Sequence, residues 1–343
     1  MSARGKQGDD AAYEFGYMRK PDDRTKRQVI RDWIYDPRKG TVLGRTAKQW
    51  GIVGLFYLTF YSALAALCAI CFCGLMATID PKRPTYTLSR SLIGTNPGLG
   101  FRPISNDTSE RSLIWYDAKN ATQINKWTAL LDDFLIGYWN KSALAKGGRT
   151  QMPCDYNQLP HGGKVCDVDF TKYGDCRPGT DYGYSSSQPC VFIKLNRIFD
   201  WIPDYYNDTE DLPQEMPEDL KTHIKTLRNQ PEKLNTVWVS CKGEDPRARE
   251  TIRKPKDKDH PVPATDKITG DLLYYPETRG FPGYYFPYTH QLEYVSPIVA
   301  VQFVRPEGSE VIRVECRAWA KNIHYRSKKG EKNGAIHFEL MVD

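Results

Sequence analysis

Two short groups of side chains in this 343-residue sequence have spacings that could support chemistry. The triplet Asp167–Asp169, which reads DVD, has the DxD spacing with which glycosyltransferases hold a metal ion and a nucleotide sugar. Cys68, Cys71 and Cys73 have a spacing that could serve metal or redox chemistry. A DxD triplet also arises by chance in acidic loops, and these cysteines lie in an apolar run, where a thiol behaves as a small hydrophobe. Neither group therefore predicts catalysis by itself.

Other catalytic motifs are missing from the sequence or broken. It has no GxxxxGK[ST], GxSxG or HExxH, and its six histidines are scattered singly. The segment Asp266–Asp271 resembles the phosphorylated-aspartate motif DKTGT, but Ile268 interrupts it and a surface turn is the simpler interpretation. The net charge of +6 is not arranged as a basic stripe, so nucleic acid is not indicated. We expect a non-enzyme without a cofactor or metal.

One uncharged segment divides the chain into two unequal parts. No Asp, Glu, Lys or Arg occurs between Lys48 and Asp80, and the run from Trp50 to Ile79 would exceed the roughly 30 Å hydrocarbon core as a helix. It is about twice as long as the apolar part of a signal peptide and starts far from Met1, so we expect a retained signal-anchor.

Flanking charges and glycosylation motifs predict the orientation of this helix. Basic residues are more numerous before it than after it, which favours a cytoplasmic N-terminus. The N-glycosylation sequons all follow it, at Asn106, Asn120, Asn140 and Asn207. We expect a cytoplasmic, largely disordered arm over 1–48, a transmembrane helix over 49–79, an extended connector over 80–103 and a disulfide-bonded, glycosylated ectodomain over 104–343.

Periodicity and cysteine usage predict the fold of the ectodomain. Its cysteines are Cys154, Cys166, Cys176, Cys190, Cys241 and Cys316, which imply three disulfides in any of fifteen pairings. An amphipathic helix is expected around Ile124–Tyr138 and a shorter one at Pro217–Leu227. Strands are expected over 191–195, 236–239, 298–304, 312–318 and 336–342. These elements favour an antiparallel β-sandwich with a helix packed against it.

Two aromatic groups indicate contact with another protein. Phe56, Tyr57, Phe60 and Tyr61 share one side of the apolar helix, where a phenol hydroxyl facing lipid is unfavourable, so a partner helix is favoured over snorkelling. Tyr284, Tyr285, Phe286 and Tyr288 are concentrated in a proline-bounded loop, which suits either a protein interface or a local core.

Several motifs together resemble a known family. They are LGRT at 43–46, LFYLTFY at 55–61, NPGLGFRP at 96–103, PCVFIKLNRI at 189–198, YYFPY at 284–288, AVQF at 300–303 and VIRVECRAWAKNI at 311–323. In this order they are similar to the β subunits of the Na⁺,K⁺-ATPase, most of all to arthropod forms. The resemblance covers nearly everything after about residue 30.

The resemblance implies an extracellular immunoglobulin-like sandwich with an added helix, at the plasma membrane, and the sequential disulfides Cys154–Cys166, Cys176–Cys190 and Cys241–Cys316. It also implies an accessory subunit that lets a catalytic α subunit fold and leave the endoplasmic reticulum and that tunes K⁺ handling, with room for a small single-span regulatory subunit. Tyr57 and Tyr61 would pack on an α transmembrane helix, and 284–288 on extracellular α loops. The alternatives are an H⁺,K⁺-ATPase β subunit, a type II adhesion glycoprotein and a Golgi glycosyltransferase.

Overall fold

The computed structural model describes residues 25–37, 39–110, 112–244, 272–304, 306, 310–325 and 334–343, so Asp266–Asp271 lies outside the described residues. The chain divides into two compact units at Ile79 and Asp80. The elements of the first unit are α1 Lys26–Ile34, β1 Tyr35–Asp36, β2 Thr41–Val42, β3 Arg45–Thr46 and α2 Ala47–Thr78.

Helix α2 is the element expected to cross the membrane. It begins with a capping box, in which the Thr46 N–H donates to Gln49 Oε1 at 2.9 Å and the Gln49 N–H donates to Thr46 Oγ1 at 3.4 Å. Its most apolar window has a mean hydropathy of 2.1, and none of its residues is buried. The 32 residues of α2 are more than the roughly 20 that a membrane-spanning helix needs, and its surface is apolar on all sides, as contact with lipid requires.

The described part of the N-terminal arm is more ordered than expected. Helix α1 occupies residues that the sequence analysis assigned to a largely disordered segment, and β1, β2 and β3 form a small sheet after it. A turn lies between β1 and β2, where Gly40 has φ of +57°, a conformation that favours glycine. The arm contains few apolar residues overall, but four of them fall on one side of α1.

In its described residues, the second unit consists of two large sheets, a two-stranded parallel sheet of β6 and β7, and two α-helices. Its elements are β4 Leu99–Arg102, β5 Leu113–Tyr116, α3 Ala121–Trp139, β6 Gln151–Met152, β7 Val165–Cys166, β8 Cys190–Leu195, α4 Glu218–Thr226, β9 Thr236–Gly243, β10 Leu272–Tyr275, β11 Gly280–Pro282, β12 Ile298–Phe303, β13 Ile312–Trp319 and β14 Ala335–Val342. The four-stranded sheet has the order β10-β12-β8-β4, and the five-stranded sheet has the order β11-β9-β13-β14-β5.

The two sheets share one hydrophobic core. Phe101 of β4 stacks on Phe338 of β14 with ring centroids 5.0 Å apart, and Phe303 of β12 meets the same ring edge to face at 6.1 Å. All pairings within the two sheets are antiparallel except that of β14 with β5, which is parallel. The expected antiparallel arrangement therefore has one parallel pairing at this edge, where β5 is far from β14 in sequence and no hairpin fixes its direction.

Strand β4 corrects the predicted extent of the connector. Residues 99–102 were assigned to an extended linker, yet they pair with β8, with Leu99 opposite Leu195 and Phe101 opposite Ile193. Leu99 and Phe101 are each 5% exposed. The many prolines and glycines around them hid a short two-residue alternation that places both side chains in the core.

The two helices of the second unit pack as their spacing predicts. Helix α3 is capped by Asn120 and buries one side, including Ile124, Trp127, Leu131 and Leu135. Helix α4 buries Leu220 and Ile224 in a separate cluster with Trp238. Since the neighbours of Trp238 on β9 face the main core, this strand is covered on both sides, which explains its unbroken apolar run.

Three disulfides connect the second unit, and they are the pairs that the resemblance implies: Cys154–Cys166, Cys176–Cys190 and Cys241–Cys316. The third joins directly opposite residues of the neighbouring strands β9 and β13, with Cα atoms 4.0 Å apart. It therefore lies within one sheet, whereas the characteristic disulfide of antibody domains joins two sheets.

Candidate partner-binding surfaces

Four aromatic rings form a continuous surface on α2, which we call the ring patch: Phe56, Tyr57, Phe60 and Tyr61. Phe56 stacks on Phe60 with centroids 6.2 Å apart, and Tyr57 stacks on Tyr61 at 6.0 Å. The two stacks meet edge to face at 5.5 and 5.4 Å. Residues four apart stand one above the other on a helix, which explains both stacks. All four rings are at least half exposed.

The hydroxyls of Tyr57 and Tyr61 have no hydrogen-bond partner within the described parts of the chain. Thr59, on the same helix, instead returns its hydroxyl proton to the Leu55 carbonyl oxygen at 2.6 Å. A tyrosine hydroxyl cannot reach its own helix backbone in this way, so it requires an outside partner in hydrocarbon. The ring patch is consequently suited to contact with a second transmembrane helix.

Tyr285, in the loop predicted as an interface, belongs to the interior of the second unit. Its side chain is 8% exposed, and its hydroxyl donates to the Asp167 carbonyl oxygen at 2.6 Å. Burial raises the pKa of Tyr285 well above its usual value. For this residue the structure matches the alternative of a local core under the loop.

The other rings of this loop are only partly buried. Tyr284 packs edge to face on Tyr156 with centroids 5.3 Å apart, and Phe286 packs in the same way on Trp201 at 5.6 Å. Tyr288 is likewise partly exposed. Tyr156, Tyr284 and Phe286 line a pocket of about 420 Å³ that is open to solvent. The loop therefore offers a surface of ring edges around a shallow hollow.

The DxD carboxylates take part in local contacts. Asp167 accepts a charged hydrogen bond from Lys141 Nζ at 2.7 Å. Asp169 accepts the Thr171 N–H at 3.1 Å and the Thr171 hydroxyl, and these hydrogen bonds lower its pKa. Both residues line a cavity of about 730 Å³. Among the described residues, no cluster of three or more His, Cys, Asp or Glu could hold a metal ion.

The four sequons lie at the surface of the second unit. Asn106, Asn120 and Asn207 are exposed, and Asn140 is partly exposed. The Oδ1 atom of Asn120 accepts the backbone N–H groups of Thr122 and Gln123 at the start of α3. Because the cap uses Oδ1, it leaves Nδ2, the atom to which an N-glycan is attached, outside these bonds.

A carboxylate that the sequence analysis did not single out joins two loops of the second unit. Glu293 Oε1 accepts the backbone N–H groups of Lys146 and Gly148, and Oε2 accepts the N–H and hydroxyl of Thr150. Burial raises the pKa of Glu293, but these four hydrogen bonds outweigh it and lower the pKa to about 2. A single glutamate between Leu292 and Tyr294 gives no signal in sequence.

The described residues define a class of protein. These residues include one helix long and apolar enough to cross a membrane, a disulfide-bonded, sheet-rich unit, and aromatic surfaces that no other described residue covers. These features suit a membrane protein that binds another protein.

Comparison with known proteins identifies the family. The profile described as Sodium / potassium ATPase beta chain matches residues 20–338. The chain is 45% identical to sodium/potassium-transporting ATPase subunit beta-2 of Drosophila melanogaster over 329 residues, which cover 95% of this chain and 96% of the fly protein. It is 38% identical to subunit beta-1 of the same fly over the full length of both proteins, and 27% identical to mouse subunit beta-2 over 92% of this chain and 96% of the mouse protein. The chain belongs to the family of sodium/potassium ATPase β chains.

Proposed function

We propose that this chain is the accessory β subunit of a Na⁺/K⁺-transporting ATPase and pairs with the catalytic α subunit in the plasma membrane. The observation that carries this proposal is the match of the family profile to residues 20–338. In this role the chain lets the α subunit fold and leave the endoplasmic reticulum, and it adjusts K⁺ handling without catalysing a reaction itself. A small single-span regulatory subunit joins the pair in the same proposal.

The proposed topology is type II, with a cytoplasmic N-terminus and an extracellular second unit. The basic flank of α2 and the four sequons beyond it support this orientation. We infer that the second unit is an immunoglobulin-like sandwich carrying α3 as its added helix. Its two sheets, of four and five strands around one core, support this assignment, with the β9–β13 disulfide as a departure from antibody domains.

The proposed interface has two parts. The ring patch packs on a transmembrane helix of the α subunit, which supplies hydrogen-bond acceptors for Tyr57 and Tyr61. On the extracellular side, the edges of Tyr284, Phe286 and Tyr288 contact loops of the α subunit. Tyr285 supports these rings from inside the domain, because its side chain is buried and already hydrogen bonded.

Co-expression tests the proposal directly. The α subunit should be produced in cells that lack other β subunits, with and without this chain, while surface α subunit and Na⁺- and K⁺-dependent ATP hydrolysis are measured. Both should rise with the chain present. The variant Asp167→Ala with Asp169→Ala should act like the wild type, because a glycosyltransferase needs this pair and an accessory subunit does not. Normal surface delivery of the chain without any rise in α subunit would contradict the proposal.

A further inference from the structure

Helix α1 of the first unit exposes its entire apolar side. Val29, Ile30, Trp33 and Ile34 are spaced i, i+1, i+4 and i+5, so they share one side of the helix. Their exposed fractions are 40, 58, 61 and 51%, and no residue of α1 is buried. Within the described parts of the chain, nothing covers this apolar surface.

A short hydrogen-bonded segment ties α1 to the start of α2. The Leu43 N–H donates to the Ile34 carbonyl oxygen at 3.0 Å, which fixes the end of α1 against the turn after β2. Trp50, in the first turns of α2, donates its indole N–H to the Val42 carbonyl oxygen at 2.8 Å. The Arg45 guanidinium lies over the Trp50 ring at 5.7 Å. Helix α1 is therefore kept near the end of the membrane-spanning helix.

Charge distinguishes a lipid surface from other occupants of the apolar side. Between Lys26 and Lys48 the sequence has seven Lys or Arg residues and only two Asp or Glu residues. Arg27 and Arg31, four residues apart, lie on one flank of the apolar side of α1, and the Arg31 side chain, which is largely exposed, also contacts Asp32 Oδ1 at 3.6 Å. An amphipathic helix with a basic flank and a tryptophan is the form that lies in the membrane–water interface. Guanidinium groups bind phosphate oxygens well.

We propose that α1 lies in the interface of the leaflet where α2 begins, with Ile30 and Trp33 inserted among acyl chains and Arg27 and Arg31 paired with the phosphate groups of anionic phospholipids. This lipid contact goes beyond pairing with an α subunit and requires only that α2 crosses the bilayer. It gives the chain a second membrane anchor that does not depend on its partner.

The test uses the full-length chain alone in phosphatidylcholine vesicles with and without phosphatidylserine. Cys68, Cys71 and Cys73 are changed to Ala, and an environment-sensitive fluorophore is attached at Ile30→Cys or at Asp32→Cys. Asp32 lies about 160° from Ile30 around α1 and provides the matched control. Replacing Asp32 removes a negative charge, which biases that control toward the membrane. We expect lipid-borne nitroxide to quench the label at position 30 and aqueous iodide to quench the label at position 32.

The charge contribution is measured in the same system. Each basic residue near an anionic surface strengthens docking about fivefold, equal to about 1 kcal/mol, so Arg27→Gln with Arg31→Gln should lower the docked-to-free ratio about 25-fold. Arg27→Lys with Arg31→Lys keeps the charge and should preserve docking.

Equal iodide quenching at both positions overturns the proposal. Shielding of position 30 that appears only after the α subunit is added also overturns it, since a protein surface is then the occupant. Because the chain is tested without a partner, failure to pair with an α subunit leaves this result unaffected.

Discussion

Phe56 and Phe60 differ from Tyr57 and Tyr61 by one hydroxyl group each, and this difference sets what each pair of rings can contribute at an interface. The rings contribute packing, whereas the hydroxyls contribute hydrogen bonds that average about 0.6 kcal/mol between membrane helices. Tyr285 is the opposite case, because its hydroxyl is already bonded inside the domain. In the proposed interface, tyrosine thus serves recognition in α2 and internal support at position 285.

Tyr57→Phe with Tyr61→Phe should weaken pairing with the α subunit only modestly. Two lost membrane hydrogen bonds amount to about 1 kcal/mol, so the K⁺ concentration for half activation of pump current should change by no more than about fivefold. Tyr57→Ala with Tyr61→Ala also removes ring packing and should have a larger effect. Leu55→Ala, about half a turn from Tyr57, is the matched control on the other side of the helix. Wild-type K⁺ activation in the double Ala variant would show that the ring patch faces lipid.

Acid should weaken the hydrogen bonds of Glu293 in a defined pH window. The folded-state pKa is lowered from 4.5 to about 2, so the stabilisation is complete above about pH 4.5 and is lost as pH falls toward 2. Glu293→Gln should therefore lower the thermal midpoint of the full chain in detergent at pH 7, and the difference from wild type should shrink below pH 4.5. Glu339→Gln, which removes a surface ion pair with Arg313, is the control. A difference that does not change with pH would contradict this role.

Among the secondary-structure elements, those with one clear period were the ones that sequence could predict. Ile312, Val314, Cys316 and Ala318 alternate over β13 and are all buried. Helix α3 extends over Ala121–Trp139, around the predicted face, with Leu135 as a further buried residue. Local periodicity reports which side of an element packs on the main core, and Trp319 at the end of β13 packs instead in the second cluster, with Trp238.

Features that depend on distant partners could not be read from local sequence. The direction of β5 depends on its pairing with β14, and no hairpin connects the two strands. Glu293 forms its hydrogen bonds only because the backbone of Lys146–Thr150 turns toward it. Helix α1 did have a signal, the spacing of Val29, Ile30, Trp33 and Ile34, but the surrounding charges obscured it.

The long disulfide should matter more to stability than a short one. Cys241–Cys316 spans 75 residues and Cys176–Cys190 spans 14, for which chain entropy gives about 4 and about 3 kcal/mol. All four cysteines are buried, so loss of packing is similar for the two pairs. Replacing both Cys241 and Cys316 with Ala should lower the urea midpoint more than replacing both Cys176 and Cys190 with Ala. Equal midpoints would show that the chain-entropy difference is offset in the folded protein.

At the scale of the whole molecule, the chain separates membrane attachment from its folded domain. The first unit contains α2 and buries none of its described residues, whereas the second contains both large sheets, the three disulfides and all four sequons. Disulfides and N-glycans are both acquired in the secretory pathway, so the position of the disulfides and the sequons on the same side of α2 supports the proposed orientation.

When protease is added to sealed microsomes, the membrane should therefore protect most of the chain from digestion. External protease should remove only residues before α2, leaving a fragment whose mobility increases after N-glycosidase treatment. Detergent permeabilisation before protease is the control, because it should make the second unit accessible. Loss of the second unit from sealed microsomes would reverse the proposed orientation.

The position of β14 also has a consequence for biosynthesis. Of the five strands in its sheet, β14 is the last to leave the ribosome, yet it lies between β13 and β5 rather than at an edge. Until it arrives, both neighbours expose unpaired backbone groups, which is the kind of surface that chaperones hold and that aggregates. The five-stranded sheet can therefore form only after Ala335–Val342 has been translated. A chain that terminates before these residues would keep the edge of β13 unpaired and would remain bound by chaperones.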